Sequence, residues 1–417
     1  MSHNNSTVSE ETEAFTECQN SQKPPSACFV YYMLFNNSAL LYREVRALKE
    51  KGFEVDIIVL RGKKKDKIFH KFEGLNIYGI QARPSAEKNF INYFTRLLLF
   101  FLKATFFQVY LGPKRKYKLV HITAPPDFMV FTALIPKLLG AKIILDIHDI
   151  SPEFFMEKLH INEDRFIVKV IKFIEKISTQ FADHVITVTE LWGKKLVSRS
   201  APQSKCTVLL NVPDENLFKA FVLAKKEALN GFNLYYHGSL EEYFGVDTLL
   251  KAMPIIKQKI PNVKLHIYGG GRLKDEFECY IRELKIDNYI KIFDRVPFYQ
   301  LPKILMNADL GIVPTKDTNF SKDTISMKSL EYMSLGIPIV ISKTKAHRFY
   351  FNNSMVKFFE PENEDELAMS VIFLYQNKEE RKRLIKNAHS FMRNHGWHQS
   401  KKVYFQIVDN LTSKIKT

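Results

Sequence analysis

The sequence predicts an α/β protein with two domains, each built on a largely parallel β-sheet wrapped by helices. From residue 28 onward, short apolar runs rich in β-branched and aromatic residues alternate with longer segments of helical period. The pattern pauses near residue 211 and then starts again. The chain has 417 residues, of which 46% are hydrophobic, whereas a single core seldom grows beyond about 250–300 residues. Two Rossmann-like domains facing each other across a cleft are therefore expected.

Two sets of predicted strands lie on either side of this pause. The first set covers residues 28–32, 55–60, 119–123, 142–146 and 184–188, followed by a short stretch at 207–210. The second set covers residues 234–237, 263–268, 290–293, 310–313 and 339–342. Between them Asn-Val-Pro-Asp interrupts the periodicity, which predicts a hinge within residues 211–216. We expect a first domain over residues 27–212 and a second over residues 213–396.

The N-terminal segment and the cysteines bear on the compartment of the protein. Residues 1–26 are rich in Ser, Asn, Glu and Gln and lack an apolar run, which predicts a disordered lead rather than a signal peptide. The four cysteines have neither C-x-x-C spacing nor histidine partners, so the pattern predicts neither a zinc site nor a disulfide framework. A reducing cytoplasm fits these features best.

The balance of charges indicates an anionic partner. The formal net charge is +16 and the pI is near 9.4, which implies attraction to nucleic acid, an anionic membrane or a phosphorylated substrate. No recognition helix, zinc-finger spacing or aromatic RNA-binding signature accompanies the basic residues, so we expect no nucleic-acid partner.

Polar residues follow several predicted strands directly, where ligands bind in open parallel sheets. Asp146, His148 and Asp149 follow one strand of the first set. A histidine flanked by two aspartates suits proton handling or the orientation of a hydroxyl, so His148 and Asp149 are candidate catalytic residues. The alternative interpretation is a helix start, with Asp149 or Ser151 as N-cap and Pro152 in the first turn.

Glycines follow two strands of the second set. Gly238 comes after one strand, and Gly269-Gly-Gly271 with Arg272 comes after the next. Glycines here would let backbone N–H groups approach a phosphate at a helix N-terminus, so Gly238 and Gly270 are candidate donor-binding positions. The spacing is not that of a dinucleotide fingerprint, and a tight strand-to-helix turn would need similar residues.

The segment from Asp323 to Pro338 is more specific. It predicts a helix that ends at Gly336 and Pro338 before the last strand of the second set. Asp323 lies at or before the helix start and Glu331 lies within the helix, so both carboxylates are expected along one wall of a cleft. The alternative is that Glu331 lies on a solvated helix face, as most glutamates do.

This segment resembles the glutamate-x7-glutamate signature of retaining glycosyltransferases of the GT-B fold, family 4, with Asp323 in place of the first glutamate. Further segments occur in the order typical of that family, and the resemblance covers nearly the whole chain after residue 27. These segments are residues 121–127, residues 139–142 leading into 146–149, residues 185–189, residues 211–213 and Trp397. The resemblance implies that the last helix, within residues 397–417, crosses back to pack on the first domain.

The resemblance also implies roles for individual residues. Glu331 would accept hydrogen bonds from the ribose of a UDP- or GDP-type sugar donor, and Asp323 would help to hold the sugar. His148 would line the reacting centre from the first domain. Enzymes of this kind retain the anomeric configuration and use no metal or cofactor, since basic side chains and helix N-termini stabilise the leaving diphosphate. No Asp-x-Asp metal motif is visible in the chain.

One segment departs from the family pattern. Where the family often has Gly-Arg-Leu-x3-Lys-Gly, residues 238–245 read Gly-Ser-Leu-Glu-Glu-Tyr-Phe-Gly, so both expected cations are missing. Lys328 is the first candidate to replace them, because it lies one helical turn nearer the N-terminus than Glu331. Arg272 is the second candidate, since it could offer a bidentate guanidinium.

Residues 89–111 form a long apolar stretch interrupted by Arg96 and Lys103 and followed by basic residues at 114–118. The length permits a membrane-spanning helix, but the stretch lies between strands of the first set. We expect a helix that is partly in the core and partly at an anionic membrane surface. A wholly buried helix is the alternative.

Together these features predict a cytoplasmic, peripherally membrane-associated glycosyltransferase. It would move a hexose-type residue from a nucleoside diphosphate to a glycan or lipid-linked acceptor, in a setting such as surface polysaccharide assembly. Two other functions remain open. The missing cations suit a catalytically silent partner subunit, and a sugar-nucleotide epimerase can share the same architecture.

Overall fold

A computed structural model describes residues 24–83, 90–214, 218 and 230–413, and it contains two β-sheets. The strands of the first sheet are β1 (Ser26–Leu34), β2 (Glu54–Arg61), β3 (Phe69–Phe72), β4 (Leu75–Ala82), β5 (Leu119–Ala124), β6 (Lys142–Ile147), β7 (His184–Thr187) and β8 (Cys206–Val208). Their order is β3-β4-β2-β1-β5-β6-β7-β8, and only the β3–β4 pair is antiparallel.

The second sheet is parallel throughout. Its strands are β9 (Phe232–Ser239), β10 (Val263–Gly270), β11 (Ile290–Phe293), β12 (Leu310–Val313), β13 (Ile339–Ser342) and β14 (Lys357–Phe359). Their order is β11-β10-β9-β12-β13-β14. The predicted fold class, two Rossmann-like domains, is therefore confirmed.

Helices cover both sheets. Those of the first domain are α1 (Ala39–Glu50), α2 (Phe90–Arg115), α3 (Leu134–Leu138), α4 (Ser151–Leu159), α5 (Phe166–Phe181) and α6 (Glu190–Arg199). Those that follow are α7 (Val246–Lys259), α8 (Lys274–Glu283), α9 (Leu301–Leu305), α10 (Met327–Ser334), α11 (Lys345–Tyr350), α12 (Glu364–Gln376), α13 (Lys378–His395) and α14 (Trp397–Thr412).

The predicted strands are all present, but the β3–β4 hairpin and β14 were not predicted. All four residues of β3 are exposed, and β14 has only three residues, so neither carries a recognisable burial pattern. The predicted lead lies outside the described residues as far as residue 23, and β1 begins at Ser26. Of the predicted hinge, residues 211–214 are described and residues 215 and 216 are not.

The last helix, α14, returns to the first domain as predicted. The hydroxyl of Tyr404 lies 3.1 Å from Nδ1 of His121 on β5, and both side chains are buried. At the surface, Lys51 on the first domain forms an ion pair with Asp409 at 2.6 Å. The C-terminal helix therefore joins the two domains a second time, in addition to the linker.

One buried arginine contacts both the linker between the domains and the start of the last helix. Arg43 on α1 is only 2% exposed, and its guanidinium donates hydrogen bonds to the carbonyl oxygen of Val212 and, at 3.3 Å, to Oδ1 of Asn211. The same guanidinium stacks 4.4 Å from the ring centroid of Trp397, at the start of α14. Glu44 supplies a carboxylate 3.7 Å away.

We predict that Arg43→Met destabilises the protein by about 3–5 kcal/mol, because it leaves the Glu44 charge buried without its partner and frees the linker carbonyl. Urea unfolding followed by tryptophan fluorescence would measure the loss. Arg46→Met is the matched control, since Arg46 lies on the same helix but is exposed. An equal effect of the two substitutions would contradict the role assigned to Arg43.

Candidate active site

Glu331 lies in a buried hydrogen-bonded group rather than on a solvated face. Its Oε2 is 2.5 Å from Nε2 of His237, which stands near the carboxyl end of β9, and the glutamate is 8% exposed. His237 also meets the hydroxyl of Tyr332 at 3.1 Å, and that hydroxyl donates to the carbonyl of Tyr235. His237 therefore donates from Nδ1, and one proton lies between its Nε2 and Glu331. The pair fixes the orientation of the carboxylate.

Lys328 is buried beside Glu331 without an ion-pair partner in the described part of the chain. Its Nζ lies 3.9 Å from the ring centroid of Phe244 and 5.3 Å from that of Tyr236. Burial lowers the pKa of Lys328 to about 8, against the opposing effect of Glu331, and the Arg295 charge lowers it further. The ammonium group is therefore held where an anion would be attracted.

Gly238 makes room for this lysine. Its φ of +125° is a conformation that side-chain-bearing residues rarely adopt, and a Cβ there would lie 2.5 Å from Cε of Lys328. The later glycine run serves close packing as well, since a Cβ on Gly269 would lie 2.1 Å from the carbonyl oxygen of Gly238. Residues 269–271 thus fit the interpretation as a tight turn. A contact of Gly270 with the sugar donor stays a prediction.

Asp323 is buried and forms ion pairs with two lysines. Its carboxylate forms ion pairs with Lys195 on α6 at 3.1 Å and with Lys345 on α11 at 2.9 Å. Burial alone would raise the pKa of Asp323, but the two lysines hold it below its ordinary value. Since α6 belongs to the first domain, Asp323 connects the two domains. A contact of Asp323 with the donor sugar stays a prediction.

Arg272 is not brought to this group, which corrects its assignment as a diphosphate cation. Its side chain is 63% exposed and lies 3.8 Å from the carboxylates of both Glu241 and Glu242. Arg295 lies there instead, donating to Oγ of Ser239 at 3.2 Å and to the carbonyl of Gly270. Arg295 directly follows the carboxyl end of β11, so the strand-end rule could have found it.

On the first domain, His148 is held by Asp146 at the end of β6. Nε2 of His148 donates to Oδ2 of Asp146 at 2.7 Å, and His121 reaches the same oxygen at 3.4 Å. Burial would lower the pKa of His148, but the Asp146 carboxylate raises it above its ordinary value. Burial raises the pKa of Asp149 to about 6. His148 and Asp149 therefore both stay candidates for proton transfer in the reaction.

The cap residues of the alternative interpretation are wrong, whereas Pro152 lies in the first turn of α4 as that interpretation expected. Helix α4 begins at Ser151, the cap position is Ile150, and no side chain caps it. The Ser151 hydroxyl donates to Asp127 at 2.8 Å instead. Neither Asp149 nor Ser151 is used as a cap, so the carboxylate of Asp149 is not needed to start the helix.

Glu44, His121 and Asp146 form a buried group that the sequence did not reveal. They come from α1, β5 and β6, and their possible ligand atoms all lie within 4.8 Å of one another, close enough to hold a metal ion. Oε2 of Glu44 has no hydrogen-bond partner. Burial and the Asp146 charge raise the pKa of Glu44, whereas the charges of His121 and Arg43 oppose that rise. Independence of the enzyme from metal ions stays a prediction.

An apolar contact between the domains brings the two halves of the site together. Ile150, next to Asp149, belongs to a cluster with Phe320, and Tyr243 of the second domain packs on it. Burial and then the Asp149 charge raise the pKa of Tyr243. Tyr243 contacts Phe244, over which Lys328 lies, so a series of side-chain contacts leads from the segment after β6 to Lys328.

We predict that Lys328→Met stabilises the protein at pH 7 by on the order of 2–3 kcal/mol. The folded-state pKa of Lys328, near 8, lies below the unfolded value. The charged lysine therefore lowers the free energy of unfolding as long as it is protonated in both states. This penalty is full below pH 8 and disappears as the pH approaches 10.5. Unfolding free energies at several pH values would measure it.

The matched control for this experiment is Lys264→Met, at an exposed position on β10. It should show no pH-dependent difference from the wild type between pH 7 and pH 10.5. A Lys328→Met variant that is less stable than the wild type at pH 7 would show that the charge is well accommodated in the folded protein.

Two family models match the chain. The model described as "Glycosyltransferase Family 4" matches residues 38–216, and the model described as "Glycosyl transferases group 1" matches residues 221–391. A chitobiosyldiphosphodolichol beta-mannosyltransferase from Candida albicans is 28% identical over 215 residues, which cover 48% of this chain and 46% of that protein. The chain thus spans about half the length of this relative.

Solved structures share the fold over nearly the whole chain. Sucrose-phosphate synthase from Thermosynechococcus elongatus has a TM-score of 0.73 at 16% identity, covering 93% of this chain and 99% of that one. Anabaena HepE in complex with UDP and glucose has a TM-score of 0.68 at 13% identity, covering 93% and 100%. The two family models and the shared architecture show that the chain belongs to glycosyltransferase family 4, with the GT-B fold.

Proposed function

We propose that the protein transfers a hexose-type sugar from a UDP- or GDP-type donor to a hydroxyl of a glycan or lipid-linked acceptor. The proposal includes retention of the anomeric configuration and independence from metal ions. Surface polysaccharide assembly is the setting that we propose for the reaction.

The observation that carries this proposal is the buried Glu331–Lys328 group, which Tyr243 and Phe244 connect to the segment that holds His148 and Asp149. A carboxylate fixed by His237 suits the hydroxyls of a ribose, and a neighbouring cation suits the phosphates attached to it. On the opposite side, His148 and Asp149 suit a hydroxyl that must lose a proton. The description of Anabaena HepE with UDP and glucose supports the same choice of donor.

We predict that Glu331→Gln weakens nucleoside diphosphate binding by about 1.5–3 kcal/mol, because the ribose hydroxyls lose a charged acceptor. Titration calorimetry with UDP and GDP on the full chain would measure it. Glu276→Gln is the matched control, since Glu276 is exposed on α8 of the same domain. Equal affinity of the wild type and the Glu331 variant would remove Glu331 from the donor site.

The activity itself is tested by incubating the protein with a panel of UDP- and GDP-sugars, with and without acceptor and with EDTA. Transfer that needs acceptor and survives EDTA supports the proposal. Conversion of the nucleotide sugar without acceptor would indicate an epimerase, and no turnover with any donor would indicate a silent subunit. The anomeric form of the product must be determined, because the name of the Candida albicans relative specifies a beta-linked product.

Helix α2 supports a peripheral position of the enzyme on a cytoplasmic membrane surface. It is long and apolar enough to span a membrane by length and composition, with 28% of its most apolar window buried. One face, including Leu97 and Phe100, packs into the first-domain core, whereas the other face is exposed. The exposed apolar residues are Ile91, Phe94, Leu98, Leu99, Leu102, Phe106, Val109 and Tyr110. A helix with these two faces suits the membrane interface.

Exposed lysines at the end of α2 add an electrostatic attraction. Lys114, Lys116 and Lys118 are exposed, whereas Arg115 is engaged by Asp56 at 3.0 Å. An anionic leaflet attracts such lysines, and an acceptor carried by a lipid would then be held beside the enzyme. Attachment at this helix is therefore consistent with a lipid-linked acceptor.

We predict that binding to vesicles containing anionic lipid falls as the salt concentration rises, because salt screens the three lysines. Vesicle sedimentation would measure it, and changing Lys114, Lys116 and Lys118 to Gln should reduce binding further. The control changes Lys259, Lys264 and Lys291, which are exposed on the second domain. Equal binding to neutral and anionic vesicles would show that the lysines are not the anchor.

A further inference from the structure

Two cationic side chains converge on the dipeptide Gly238-Ser239 from different parts of the second domain. Lys328 comes from α10, and its Nζ would lie 2.9 Å from a Cβ placed on Gly238. Arg295 comes from the segment after β11, and its Nη2 lies 3.2 Å from Oγ of Ser239. The two charges therefore flank the last two residues of β9.

Neither cation forms an ion pair with a carboxylate within the residues described. The hydrogen bonds of Arg295 go to a hydroxyl and to the carbonyl of Gly270, and Lys328 lies against aromatic rings. The charges of Glu241 and Glu331 act on Arg295 and Lys328 from beyond ion-pair distance, and Glu331 is already paired with His237. The two cations repel each other, and an anion placed between them would remove that repulsion.

The electrostatic environment of Arg295 agrees with this geometry. Removal from water lowers the pKa of Arg295, and the charge of Arg83 on the first domain lowers it further. The Arg295 charge in turn adds to the effect of burial that lowers the pKa of Lys328. Cations from both domains therefore contribute to a positive potential at this end of the cleft.

The positions of Arg295 and Lys328 also correspond to the two cations that are missing from residues 238–245. The resemblance described above implies an arginine at the position of Ser239, and Arg295 hydrogen-bonds to the hydroxyl of Ser239. It implies a lysine at the position of Phe244, and Lys328 lies over the ring of Phe244. Each missing cation is thus matched by another cation that reaches the same residue from elsewhere in the fold.

We propose that Arg295 and Lys328 together bind the diphosphate of the sugar donor. The guanidinium offers two parallel donors to one phosphate, and the ammonium offers a point charge to the other. This assignment rests on the proposed function for its ligand, and it adds Arg295 as a donor-binding residue.

The test measures the affinity of the full chain for uridine, UMP and UDP and for guanosine, GMP and GDP. Arg295→Gln should weaken binding of the diphosphate that the wild type prefers by about 10- to 100-fold, since a charge-assisted contact is lost. Binding of the corresponding nucleoside should be unchanged. Arg272→Gln is the matched control and should bind the diphosphate as the wild type does, because Arg272 faces Glu241 and Glu242.

A second variant moves the charge back into the loop. Ser239→Arg combined with Arg295→Gln should recover most of the lost diphosphate affinity, which a purely structural role of Arg295 in holding Gly270 would not produce. Equal diphosphate affinity of the Arg295→Gln and Arg272→Gln variants would overturn the inference and leave the proposed function intact. A wild-type protein that binds none of the six compounds would overturn the proposed function itself.

Discussion

The arrangement of the two sheets depends on the buried guanidinium of Arg43. It bonds the linker at Asn211 and Val212, stacks on Trp397 at the start of α14, and pairs with Glu44. A charge buried this deeply is expensive unless every neighbouring group is correctly placed, so the interaction specifies one relative position of linker and helix. Through Glu44 it also adjoins His121 and Asp146, the group that orients His148.

A second connection crosses the cleft at its other side. Lys195 lies between Glu153 of its own domain, at 3.4 Å, and Asp323 of the second domain, at 3.1 Å. Asp323 lies in the segment that leads into α10, whose side chains include Lys328 and Glu331. The position of α10 relative to the first domain is therefore set in part by the ion pair between Lys195 and Asp323.

Sequence reasoning succeeded where burial leaves a pattern. Strands β12 and β13 lie where predicted because buried parallel strands read as continuous apolar runs. The polar residues after β6 and β9 could be located by the same logic, since parallel strands end at one edge of a sheet. The partners of Asp323 could not be predicted, because α6 and α11 approach it only in the folded protein. The hydrogen bond from Arg295 to Ser239 likewise depends on tertiary contact.

The electrostatics of the cleft are asymmetric, and this asymmetry restricts what the cleft can hold. The second domain presents Lys328 and Arg295 without carboxylate partners, whereas the first domain presents His148 between Asp146 and Asp149. The buried charge of Lys328 destabilises the folded protein unless a bound anion compensates it, and the proposed diphosphate donor would supply that anion. In the proposed complex the phosphates face the second domain. The anomeric carbon would then point toward the groups of the first domain that are proposed to accept a proton.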